Sequence, residues 1–136
     1  MTVSAPAIDE SHPVYNAIPG RYVNRIGNAE YTLNGVTYET EVNDGNNTLH
    51  SGNNNWSWRF WEVVEHTDTS ITMLISDPEG ESQGFPGLVE STVKYSVADG
   101  GVWNIEMEAT APEAETRERT SPFMVLVDKK LIFVQL

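Results

Sequence analysis

The stretch LVESTVKYSVADGGVWNIEMEATA, residues 88–111, decides the fold. Its first half sets Val89, Val93, Tyr95 and Val97 against Glu90, Thr92, Lys94 and Ser96. Its second half sets Trp103, Ile105, Met107 and Ala109 against Asn104, Glu106, Glu108 and Thr110. Successive side chains leave a pleated backbone on opposite sides, so a period of two marks a strand with one buried and one solvated face. With Asp99-Gly100-Gly101 between them, the two runs predict an antiparallel hairpin.

The same pattern continues upstream. In AEYTLNGVTYETEV, residues 29–42, two alternating runs flank Asn34-Gly35, the strongest short-range hairpin signal. FWEVVEHTDTSITMLIS, residues 60–76, predicts another hairpin turning at Thr67 to Thr69. The segment DPEGESQGFPG, residues 77–87, carries three glycines and two prolines and reads as an irregular loop. No segment sustains a helical period. The expected fold is all-β, an antiparallel β-sandwich or part of one.

A length of 136 residues suits one domain, and 39% hydrophobic against 21% charged residues is too apolar for a disordered chain. The expected organisation is a loose arm over 1–11, a β domain over 12–126 and an atypical apolar tail over 127–136. That tail reads either as a buried strand pair or as an end foreign to the rest. A net charge of −12 and the absence of any Lys/Arg cluster argue against nucleic acid and anionic membrane surfaces as partners. The chain has no cysteine, no signal-peptide pattern and no membrane-spanning apolar run, so it reads as soluble and cytoplasmic.

Chemistry concentrates in NDGNNTLHSGNNNWSWRFW, residues 43–61. Of the three histidines, His12 falls in the arm and His66 at a strand end, where a solvated turn histidine is the simple reading. His50 lies among Asn and Gly, whose small or amide side chains let backbone approach a ligand. Trp56, Trp58, Phe60 and Trp61 are expected to begin a strand and fill the core, with a sugar-stacking platform as the alternative. Asn, Arg and His amides and rings read the paired donors and acceptors of sugar hydroxyls, so the loop suits a neutral polyol. Asp44-Gly45 is not a calcium loop, since Thr40 and Val42 stand where oxygen ligands are needed, and no metal site is expected. The zinc-hydrolase, nucleotide-loop and serine-hydrolase motifs are lacking. The triplets at Asn46 and Asn55 read as chance glycosylation signals in an Asn-rich loop.

Taken in order, Gly20-Arg21-Tyr22-Val23-Asn24-Arg25-Ile26, the Asn34-Gly35 hairpin, Asn47-Thr48-Leu49-His50-Ser51-Gly52, and SDPEGE followed by GFPG resemble the aldose 1-epimerase (galactose mutarotase) family, in particular its fungal-type members. The resemblance covers roughly residues 13–126 and implies an internal portion of the galactose mutarotase-like supersandwich. It implies interconversion of the α and β anomers of aldoses in hexose metabolism, by general acid–base catalysis without a cofactor. It assigns substrate binding to Asn24, Arg25 and His50, with a glucose- or galactose-like monosaccharide as ligand. It assigns no catalytic residue here, because the family's second histidine and its glutamate base have no match and no histidine follows His66. Three alternatives stand beside an active epimerase: a non-catalytic sugar-binding module, a fragment without a separate role, and a glucose 6-phosphate 1-epimerase. A partial sandwich would leave an apolar sheet face and open edges, so self-association or a homodimer is also expected.

Overall fold

The computed structural model describes residues 17–82, 84–112 and 133–135, the last three as backbone. The arm over 1–11, His12 and most of the tail over 127–136 lie outside the described residues. Among the described residues all strand pairing is antiparallel and helical structure is limited to short 3-10 turns, in accord with the all-β expectation. The described residues form two compact units, one containing those up to Phe60 with Gly80–Phe85, the other Trp61–Glu79 and those from Pro86 onward.

In the first unit, β1 (Arg25–Ile26) pairs with β4 (Thr48–Leu49), and β2 (Glu30–Leu33) pairs with β3 (Val36–Glu39). The β2–β3 turn is the one its sequence asks for. Asn34 and Gly35 both take positive φ, 49° and 79°, which matches the twist of a two-residue hairpin. The register sets Tyr31 opposite Tyr38, and their rings stack at 5.2 Å. Tyr31 also stacks on Phe85 and donates its hydroxyl to the Gly84 carbonyl at 2.8 Å. Burial, with Tyr38 beside it, pushes the Tyr31 phenol well above its ordinary range.

Trp56 anchors this unit at 4% exposure, against Gly20. A Cβ on Gly20 would sit 2.3 Å from the indole, so only glycine lets the backbone pass that close. The Trp56 N–H closes the contact by donating to the Gly20 carbonyl at 3.0 Å. The expectation that the aromatics begin a strand is corrected here. Trp56–Trp58 form a 3-10 turn capped by Asn55, whose side chain accepts from the Ser57 N–H, and the strand starts only at Glu62. Phe60 is 85% exposed, so core filling falls mainly to Trp56.

The second unit is a five-stranded sheet in the order β5 (Glu62–His66), β6 (Ser70–Asp77), β7 (Val89–Ala98), β8 (Val102–Thr110), β9 (Phe133–Gln135). The register places Met73 beside Val93 and Met107, and Ile71 beside Tyr95 and Ile105, so the odd-numbered apolar residues share one face. Thr72, Lys94 and Glu106 line the other face, where Glu65 takes a hydrogen bond from Thr72 and lies 3.8 Å from Lys94. Burial grades along the apolar face: Ile75, Val89, Val93 and Ala109 are buried, whereas Val97 and Trp103 near the β7–β8 turn are exposed. The tail contributes β9, which pairs with β8 over Phe133–Gln135.

Candidate functional site

The short β1–β4 ladder brings the two sequence blocks of the site together. Arg25 pairs with Leu49 and Ile26 with Thr48, which sets Asn24 and His50 at the same end of the ladder. These two residues then bond reciprocally: the His50 N–H donates to the Asn24 carbonyl at 3.0 Å, and the Asn24 N–H donates to His50 Nδ1 at 3.1 Å. Because Nδ1 accepts, the neutral ring must carry its proton on Nε2. Desolvation, then the nearby Arg25 charge, holds the His50 pKa below its ordinary value, so the ring is neutral at neutral pH. Its Nε2–H is therefore a donor with no partner among the described residues.

The backbone that makes this arrangement is unusual. Asn24, His50 and Ser51 all have positive φ, at 70°, 53° and 71°. Residues other than glycine hold that region only where their surroundings fix them, and such positions cluster at ligand sites. The fixing is visible: buried Ser51 accepts the Tyr22 N–H on Oγ at 2.5 Å and returns its hydroxyl to the Tyr22 carbonyl at 3.1 Å. Within the ladder, Thr48 is fully buried, donating to the Glu41 carbonyl and bonded to the Thr40 hydroxyl.

The asparagines of the loop mostly build it. Asn43 imitates a strand partner, donating from Nδ2 to the Leu49 carbonyl at 2.9 Å and accepting the Leu49 N–H at 2.6 Å. Asn47 accepts the Asn28 N–H, Asn53 binds the Glu41 carboxylate, and Asn54 binds Glu81. Asn55 is buried with its amide on the Gly52 carbonyl, which leaves it unavailable as a glycosylation acceptor. Asn24, by contrast, has an exposed side chain that makes no hydrogen bond among the described residues. Arg25 is exposed as well. Its Nε donates to Asp44 Oδ2, leaving both η nitrogens unspent.

All three residues expected at the site from sequence therefore meet: Asn24 and His50 through direct bonds, Arg25 through its place on the ladder. Sequence reasoning missed Asp44, read only as a failed calcium ligand, and Ser51. The one available signal was charge: an acid in the turn six residues before His50 faces an arginine in the other block. His66, the last residue of β5, is exposed at a turn as expected. It borders an open recess of about 270 Å³ with Tyr95 and Trp103 at the sheet end. That recess is not a comparable site, because its Thr67 and Ser70 hydroxyls bond each other and close their own turn. Among the described residues no group of three or more His, Asp or Glu could hold a metal ion.

Comparison with known proteins bears on this geometry. A family model described as aldose 1-epimerase matches residues 4–118. The chain is 37% identical over 91 residues to aldose 1-epimerase of Escherichia coli (strain K12), covering 67% of this chain and 26% of that protein. It is 32% identical over 104 residues to galactose mutarotase of Sus scrofa, covering 76% of this chain and 30% of the relative. The crystal structure of a GalM/aldose epimerase homologue from C. elegans superposes with a TM-score of 0.63 at 36% identity, over 68% of this chain and 28% of that one. Galactose 1-epimerase from Lactobacillus acidophilus NCFM, at 16% identity, shares the fold with a TM-score of 0.67, over 82% of this chain and 34% of that one. The chain thus spans between a quarter and about a third of the length of these relatives.

Proposed function

The chain belongs to the aldose 1-epimerase family, and from that premise we propose that Asn24, Arg25 and His50 bind an aldose such as glucose or galactose for interconversion of its anomers. One observation carries this reading: the Asn24–His50 exchange and the β1–β4 ladder bring together three residues that each keep hydrogen-bonding groups unspent among the described residues. The His50 Nε2–H and the Arg25 η nitrogens donate, and the Asn24 amide both donates and accepts, which is the pattern that vicinal hydroxyls and a ring oxygen need. On ring opening, charge moves onto a sugar oxygen, and preset donors at that oxygen stabilise it.

Anomer exchange also needs a base for the anomeric hydroxyl proton and an acid for the ring oxygen. The Asn24 amide and the Arg25 guanidinium offer hydrogen bonds rather than a proton to exchange, and His50 is held as a neutral donor. These three residues bind and polarise the sugar, while the proton transfers fall to other groups. The second reading, a sugar-binding module without catalysis, is favoured by the same division of labour. A glucose 6-phosphate 1-epimerase is disfavoured by Asp44, which already holds the site's arginine.

Calorimetric titration with D-galactose, paired with polarimetry of fresh α-D-glucose, tests the proposal. The chain is expected to bind, and His50→Ala to weaken binding by roughly tenfold, the scale of one desolvated hydrogen bond. Binding with accelerated rotation supports epimerisation, and binding without acceleration supports the second reading. Absence of binding rejects the site.

A further inference from the structure

Arg25 enters the site with one N–H already taken. Its Nε donates to Asp44 Oδ2 at 2.5 Å, and the two side chains remain 54% and 34% exposed. An ion pair that open to water adds little to stability, so stability does not explain why a carboxylate is held against this arginine. Yet Asp44 is held firmly. Its N–H donates to the Asn47 carbonyl at 3.1 Å, the Asn47 N–H returns to the Asp44 carbonyl at 2.9 Å, and neighbouring Asn43 is clamped to Leu49, the strand partner of Arg25. Carboxylate and guanidinium thus ride on one ladder.

We propose that Asp44 is a positioning and specificity-determining residue: it fixes the Arg25 guanidinium through Nε and cancels its charge, so that the site takes a neutral sugar and discriminates against a phosphorylated one. This rests on the reading of Asn24, Arg25 and His50 as a sugar site. With Nε engaged, the guanidinium cannot rotate freely, and its two η nitrogens are presented as a pair for sugar oxygens. With His50 neutral, the formal charge over Arg25, Asp44 and His50 is zero. Glu41, whose carboxylate takes two N–H bonds from Asn53 in the same loop, adds a further negative charge. An approaching phosphoryl group, carrying nearly two negative charges, meets repulsion where an unpaired arginine would attract it.

The test is titration of the 136-residue chain with D-glucose and D-glucose 6-phosphate, which differ only in the phosphoryl group. The unsubstituted chain is expected to prefer glucose. Asp44→Asn keeps the size and an acceptor oxygen but removes the charge, and should shift the ratio of affinities toward the phosphate by roughly tenfold, the scale of one unit charge at partly solvated separations. Asp44→Glu should restore the preference. A purely structural role would weaken both ligands together, so an unchanged ratio in Asp44→Asn overturns the proposal. Should that variant not fold, the salt dependence of the unsubstituted chain decides: added NaCl should narrow the gap between the ligands, and a gap indifferent to salt overturns the proposal. Binding of neither sugar overturns the site itself, whereas glucose binding with an unchanged ratio overturns only the role of Asp44.

Discussion

At the scale of residues, the site depends on one proton. His50 Nδ1 accepts from the Asn24 backbone, and protonation of the ring would set a donor against a donor. The pKa of His50 is lowered in the fold by desolvation and by Arg25, so the unfolded chain binds the proton more readily. The sign follows: stability contributed by the neutral ring is full above the unfolded histidine value and is lost as pH falls from there through the folded value. Urea melts across that interval should show falling stability, and His50→Gln should flatten the slope. Gly20 offers a second prediction. Since a methyl there would meet the Trp56 ring at 2.3 Å, Gly20→Ala should cost about 1–3 kcal/mol in denaturant unfolding, the usual scale of overpacking. A value near zero would show that the indole has room to move.

At the scale of elements, the hairpins were legible because their determinants are local. Alternation names the faces, Asn34-Gly35 names one turn, and Thr67 to Thr69 and Asp99 to Gly101 name the others, each within a residue of the observed strand ends. The loop was legible only in part. His50, Asn24 and Arg25 were recognisable by their motifs, but their meeting depends on a two-residue ladder too short to leave a periodic trace. Trp56 to Trp61 misled because a cluster of aromatics suits a strand. Here Asn55 caps a 3-10 turn instead, and Gly20 supplies the groove that receives Trp56. The side chain of Asn43 acts as a missing strand, and no sequence rule marks that role. Asn43→Ala deletes both bonds to Leu49, and should cost about 1–3 kcal/mol in stability while also weakening sugar binding. Loss of stability with unchanged affinity would separate the loop scaffold from the site.

At the scale of the molecule, the five-stranded sheet carries Val63, Val97 and Trp103 on its apolar face, each more than half exposed. The outer strand β5 is guarded: its register shifts between Val63 and Glu65, and Glu62 and Glu65 charge it, both features that oppose edge pairing. Self-association is therefore expected through the face rather than through this edge, and Trp103→Ser should lower it in sedimentation velocity. A distribution that the substitution leaves unchanged would remove the face from consideration. The central claim concerns the other unit, where a neutral His50 held by Asn24 donates to a sugar. Its most direct test is two-dimensional 1H–15N NMR of the histidine rings during titration with D-galactose. The account predicts an Nε2–H tautomer for His50 in the free chain, shifting with added sugar while the His66 ring stays still. An Nδ1–H tautomer, or a His50 ring indifferent to sugar, would contradict it.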